Sequence, residues 1–336
     1  MAETKNIDTM AAIISDDIFN EMKWVLHEKR DVNWECRIPE HKKATHPTDV
    51  VFSYKDPYTA RSIYIQTDLK SYNKNSLALT KKINEAIESL ALQVECARSN
   101  KEWSTLFKCV MHNADLNGML FLYNNDDEYD KDLLSNLGNT ASKEFSIQSS
   151  SKLFIFSPKI IKFLMSCVEN INERRTINSS SSTEKVWEKI PIREQCGFFY
   201  PDKQNKIADQ EPDHPATLEM ITSGMLLFSY KHPDYEAKVL NIFWDEVPSS
   251  IETFIYLFEF MFNYQMLSNF EKIYLVLPFR DNKTYDLFEL ARTTYVSNYA
   301  ANEGQKEKLN KINLVLPKRF VTQIYLNEVA DGRHIQ

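Results

Sequence analysis

The chain has 336 residues, 43% of them hydrophobic, with six glycines and a formal net charge of −7. That length and apolar content build one large or two medium domains, and the acidic balance argues against a chain that holds nucleic acid by bulk positive charge. No GxxxxGK[ST] or GxGxxG loop and no Gly-x-Ser-x-Gly elbow occurs, which leaves phosphate-cradling loops and serine nucleophiles without a motif.

Taken in chain order, an amphipathic helix is predicted near 13–29, with Ile14, Ile18, Met22 and Val25 as its apolar stripe. Glu21 sits among them, and Glu28 lies further along the same side. A carboxylate on a core-facing stripe is costly unless paired or metal-bound; the equal alternative is a charge at the stripe's edge. Strands are predicted near 33–38, 49–55 and 61–68, a helix near 78–99 and a strand near 118–123. The polar stretch 169–183, with four consecutive serines from Ser179 to Ser182, reads as a flexible connection. It divides the chain into domains at 1–175 and 183–336. A second polar stretch at 201–215 reads as a long loop. Residues 251–270 approach the length of a membrane span, but Glu252 and Glu259 break it, so a buried helix is expected and no membrane role.

The densest chemistry lies in residues 46–70. Asp49 opens one strand, and Asp68-Leu69-Lys70 closes the next. Side chains alternate along a strand, so positions 68 and 70 share a face. Two carboxylates provide the hard oxygen ligands that Mg²⁺ prefers, and a Lys beside them can face a phosphate or an attacking water. Asp/Glu-x-Lys triplets recur six times in the chain, but only this one ends an apolar strand (Ile63, Tyr64, Ile65) with an acid-led strand upstream. Gln66, two residues before Asp68, is a polar neighbour on the same face. Tyr72 and Lys74 follow as candidate substrate contacts, Tyr72 as a stacking ring with a core position as the more ordinary reading. Residues 37–82 hold nine bases and four acids, a local charge of 9 − 4 = +5 around the proposed site.

These residues resemble the PD-(D/E)xK nuclease superfamily over roughly 13–123. Asp49 matches the first motif acid, with Pro47 and Thr48 before it, and Asp68 and Lys70 match the second half. The resemblance implies an α/β fold with a restriction-endonuclease-like αβββαβ core, Asp49 and Asp68 as ligands of Mg²⁺ (or Mn²⁺), and Lys70 as catalytic base or phosphate contact. It also implies an additional helix acid, for which Glu21 is the candidate. The implied activity is endonucleolytic hydrolysis of DNA, with RNA as the other substrate such chemistry allows, in a restriction or anti-phage setting. The acidic remainder of the chain implies a protein partner that supplies missing affinity, and the start of the chain carries no secretory signal pattern, so a cytoplasmic location is expected. The competing reading is a non-catalytic scaffold that keeps the fold.

The C-terminal half echoes the first. FSYKDP at 52–57 recurs as FSYKHP at 228–233, and strand, helix and strand follow in the same order. Met225 stands where Asp49 stood, and near the place of Asp68 the second half has Asp245 with Val247 two residues later. A degenerate second copy is therefore expected. The five cysteines and seven histidines are scattered, which reads as reduced thiols without structural zinc.

Overall fold

Helix α1 (Ala2–Glu21) buries Ile14 and Ile18, as its stripe predicts, together with Phe19, and Met22 just past its end is buried too. It stops earlier than the periodicity implies. Lys23 takes a left-handed φ of 63°, and Trp24 donates its N–H to Phe19 O at 2.9 Å while its ring stacks on Phe19 at 4.4 Å. Val25 is consequently 59% exposed, and Glu28 lies outside the helix. The structure, a computed structural model, describes residues 2–138, 151–177, 187–201, 214–299 and 302–317.

The chain next forms β1 (Val25–Leu26) and β2 (Val32–Glu35), then β3 (Thr45–Thr48), β4 (Val50–Lys55) and β5 (Ser62–Tyr72). The short helices α2 (Lys74–Leu77) and α4 (Lys101–Leu106) flank the long α3 (Thr80–Ser99). Strand β6 (Ala114–Asn124), α5 (Leu133–Gly138), β7 (Leu153–Phe156) and α6 (Pro158–Arg175) complete this half. The main sheet has the order β1-β4-β5-β6-β7, antiparallel through β5 and parallel from β5 to β7. The strand expected near 33–38 is not in it: among the described residues β2 pairs with β3 alone, in a separate ribbon, and β1 takes the edge place. The α/β core expected from the sequence is otherwise present.

The two faces of the sheet are covered by different helices. On one, Phe19 of α1 meets Phe52, Phe121 and Phe156 with ring centroids 4.8, 6.0 and 5.7 Å away. On the other, Leu90 and Val94 of α3 pack with Val51, Leu120 and Leu122; each such side chain contributes roughly 1.5–3 kcal/mol on burial. Gly118 lets α3 approach, because a Cβ there would lie 2.5 Å from Leu153 and 2.8 Å from Val94.

The chain divides into two compact units between Met165 and Ser166. That border falls inside α6, and the helix runs to Arg175, so the first part of the 169–183 stretch is helical rather than a connection. The stretch 201–215 lies mostly outside the described residues. In the second unit β8 (Cys196–Phe198), β9 (Met225–Lys231), β10 (Lys238–Trp244), β11 (Lys272–Val276) and β12 (Ile312–Val315) form a sheet in chain order. It is antiparallel through β10 and parallel from β10 to β12, which repeats the first sheet strand for strand. The apolar 251–270 segment is a continuous helix only to Asn263, buried through Phe254, Leu257, Phe258 and Met261, with a separate short helix at Met266–Asn269. Gln265 then turns left-handed at φ 54°, and no helix among the described residues is long and apolar enough to cross a membrane.

Candidate active site

The register of β4 against β5 pairs Val50 with Thr67, so Asp49, one residue before β4, comes opposite Asp68. Leu69 donates its backbone N–H to Asp49 Oδ2 at 2.7 Å, and the Asp68 carboxyl is close enough to act on the Asp49 carboxyl through its charge. Lys70 Nζ donates to Asp68 Oδ1. Alternation along β5 puts Asp68 and Lys70 on the sheet face that α3 covers. The carboxyl of Asp68 is buried, with only 7% of its side chain exposed.

The electrostatics follow from this crowding. Burial, and then the neighbouring charge of Asp68, push the Asp49 carboxyl up to about 7, against the Leu69 N–H and the Lys70 charge that favour ionisation. Burial alone would lower the Lys70 ammonium, but the charge and hydrogen bond of Asp68, with Asp49 behind it, outweigh burial and hold it above its ordinary value. Two oxygen donors that repel one another in a buried place fit a divalent cation of the Mg²⁺ class, since such an ion removes the repulsion.

The other sequence candidates are placed differently. Gln66 is fully buried: its Oε1 accepts from Thr48 Oγ1 at 3.0 Å and Trp103 Nε1 at 2.9 Å. Its Nε2 donates to Gln93 Oε1 at 2.9 Å and to Pro47 O at 3.2 Å. Trp34 Nε1 completes the network by donating to Thr48 Oγ1 at 2.8 Å. The network holds the end of β3, one residue from Asp49, against β5 and α3. Substituting Gln66→Leu strands these buried partners, and we expect a loss of about 3 kcal/mol. Urea unfolding checks it, as a lower midpoint at unchanged slope.

Tyr72 lies beneath Lys82, whose Nζ is 4.2 Å from the ring centroid. Lys74 starts α2, its backbone N–H bonded to Asp126 Oδ2 at 2.9 Å, and Asn73 caps that helix through Ser76 N–H. Glu21 is buried at the end of α1, the helix that covers the opposite face of the sheet from Asp68 and Lys70.

The second unit shows what the same scaffold looks like without the acids. Its register pairs Met225 with Trp244 where the first pairs Asp49 with Asp68, and two residues on Glu246 takes the place of Lys70. Asp245 is one residue out of step: its N–H donates to Gly224 O at 2.9 Å. Its carboxylate packs over Gly224, which has φ 75° and where a Cβ would lie 2.3 Å from Asp245 Oδ1.

A mixed sheet with two acids facing each other across adjacent antiparallel strands, and a Lys two residues past the second, defines the first unit as a PD-(D/E)xK nuclease domain. Residues 1–160 match the family model described as the GAPS4 protein PD-(D/E)XK nuclease domain, and this part of the chain belongs to that superfamily. Searches of curated proteins and of solved structures return no match.

Proposed function

We propose that the chain is an endonuclease that hydrolyses DNA phosphodiester bonds with Mg²⁺ or Mn²⁺ held by Asp49 and Asp68. The observation that carries this reading is the facing pair of carboxyls with Lys70 on the same strand face. When bound, the ion lowers the pKa of a coordinated water and neutralises charge on the phosphate. Lys70, held as an ammonium, donates to a phosphate oxygen or orients the water; a group whose proton is retained more firmly than usual is a poor general base. Leu69 N–H fixes the rotamer of Asp49, so the acid is aimed before substrate arrives. Tyr72 and Lys74 are retained as substrate contacts past the strand end, whereas Glu21, on the helix that covers the opposite face of the sheet, is left out of the site.

The local charge of +5 over residues 37–82 supports nucleic acid as substrate, and the acidic remainder supports a partner protein that supplies further phosphate contacts. A nuclease unit joined in one chain to a repeat of its own fold that lacks the facing pair of acids suits a restriction or anti-phage effector in the cytoplasm. The test is cleavage of linear and supercoiled plasmid by the purified chain with Mg²⁺ or Mn²⁺, with single strands and RNA in parallel. Divalent-dependent cutting of plasmid is the expected result. Cutting of RNA alone changes the substrate, and no cutting of any substrate, with any protein encoded beside it added, returns the chain to the scaffold reading.

A further inference from the structure

The cysteines and histidines do not stay scattered once the chain folds. Cys36 follows β2, His41 closes a 3-10 turn (Pro39–His41), His46 lies in β3 and Cys96 lies in α3. One ligand atom from each of the four lies within 4.8 Å of all the others. Cys36 Sγ is 3.6 Å from His41 Nδ1 and 3.1 Å from His46 Nε2. The two ring nitrogens are 3.2 Å apart, and the two sulfurs 3.9 Å. Both cysteines are free thiols.

Zinc bonds of about 2.0–2.3 Å to nitrogen and sulfur set ligand-to-ligand separations of about 3.3–3.8 Å in a tetrahedron. Four of the six edges, at 3.1–3.9 Å, lie close to that figure, and the other two, from Cys96 Sγ to the imidazole nitrogens, are within 4.8 Å. We propose that Cys36, His41, His46 and Cys96 form a structural zinc site, closed and four-coordinate, distinct from the Asp49–Asp68 pair in both place and chemistry. Soft sulfur and imidazole donors select Zn²⁺, whereas the two carboxylates suit Mg²⁺.

The surroundings are those of a ligand shell. His41 Nε2 lies 3.3 Å from Glu95 Oε2, so the nitrogen that does not face the cluster is oriented by a carboxylate. Arg37 N–H donates to Cys96 Sγ at 3.3 Å, a contact that stabilises a thiolate. His46 and Cys96 are fully buried, and the His41 side chain is 4% exposed. Binding one Zn²⁺ by two thiols and two neutral imidazoles releases two protons to solvent and leaves a neutral complex with no change of oxidation state, which suits burial. A two-stranded ribbon is marginal by itself; the ion would tie β2, β3 and the intervening turn to α3.

The test is metal content of the full-length protein, purified without chelator from zinc-supplemented cells. About one zinc per chain is expected, retained in Asp68→Ala and lost in Cys96→Ser and His46→Ala. Chelation should expose two further reactive thiols and lower the melting temperature by on the order of 10 °C. Should the variants fail to fold, cobalt exchanged into the wild type reads the same ligands, through the visible bands of tetrahedral coordination and thiolate-to-cobalt charge transfer. Wild-type protein without zinc, whose melting is unmoved by added Zn²⁺, would overturn the proposal. So would retention of zinc by folded Cys96→Ser, loss of it in folded Asp68→Ala, or a cobalt spectrum without thiolate bands.

Discussion

Replacing Asp68 with Ala is expected to remove divalent-dependent cleavage to below detection, and Lys70→Ala to slow it by about 10³-fold, the scale on which loss of one preorganised transition-state donor is felt. The two losses differ in kind. Asp68 is half of the oxygen pair and also the partner of Lys70 Nζ, so its removal takes away a ligand and frees the ammonium. Lys70 contributes charge and a directed hydrogen bond, and its removal leaves both carboxyls in place. Cleavage in Lys70→Ala should therefore persist weakly and keep its metal dependence. Lys70→Arg keeps the charge but changes its shape and hydrogen-bond geometry, so a partial rate is expected. Single-turnover cleavage of a plasmid, with folding confirmed by circular dichroism, measures all three. A wild-type rate in Asp68→Ala would sink the assignment of this site, whatever nuclease activity the protein shows.

The acids and the lysine were legible in the sequence because strand alternation is local. Asp68 and Lys70 are two apart on one strand, and Asp49 starts the strand that folds back on it, so no long-range knowledge is needed to bring them together. The end of α1 was not legible, since the apolar spacing continues through Val25. A left-handed Lys23 and the stacking of Trp24 on Phe19 decide it, and both depend on the sheet beneath. Gln66 read as a polar neighbour of the site, and its side chain instead points into a network with Trp103 and Gln93, from helices that the strand pattern does not show. In the second unit, a one-residue difference separates Asp245 from Trp244, the position that faces Met225; register, which the sequence leaves open, flips a side chain to the other face.

The Cys36, His41, His46 and Cys96 cluster shows the same limit more sharply. Cys36-x4-His41-x4-His46 is compact enough to have been read as three ligands of a site, but the fourth comes from the last turn of α3. Only the packing of α3 against the ribbon supplies it. Motif reading finds sites built along one element and misses those built across several.

Asp49→Asn is expected to stabilise the protein at pH 8 in the absence of divalent ions while abolishing cleavage. The carboxyl titrates near 7 in the folded chain against an ordinary value of 3.8. Between those two values the folded state holds more protons than the unfolded state, so stability falls as pH rises from about 4 to about 7 and levels off above. Asn carries no such penalty. It can still accept from Leu69 N–H, so the gain of the variant over wild type should be near zero below pH 4 and reach a few kcal/mol above pH 7, as each tenfold difference in proton affinity between the folded and unfolded chain corresponds to about 1.4 kcal/mol. Melting curves across this range measure the difference. Added Mg²⁺ should raise the wild-type melting temperature more at pH 8 than at pH 6, because below about 7 protons compete with the ion for Asp49, and it should leave Asp49→Asn nearly unmoved. A variant that melts below wild type at pH 8, or a response to Mg²⁺ that grows as pH falls, would mean that the two carboxyls do not share a divalent ion. The expected pattern would identify a pair of acids kept at a cost in folding because the ion and the substrate phosphate recover it.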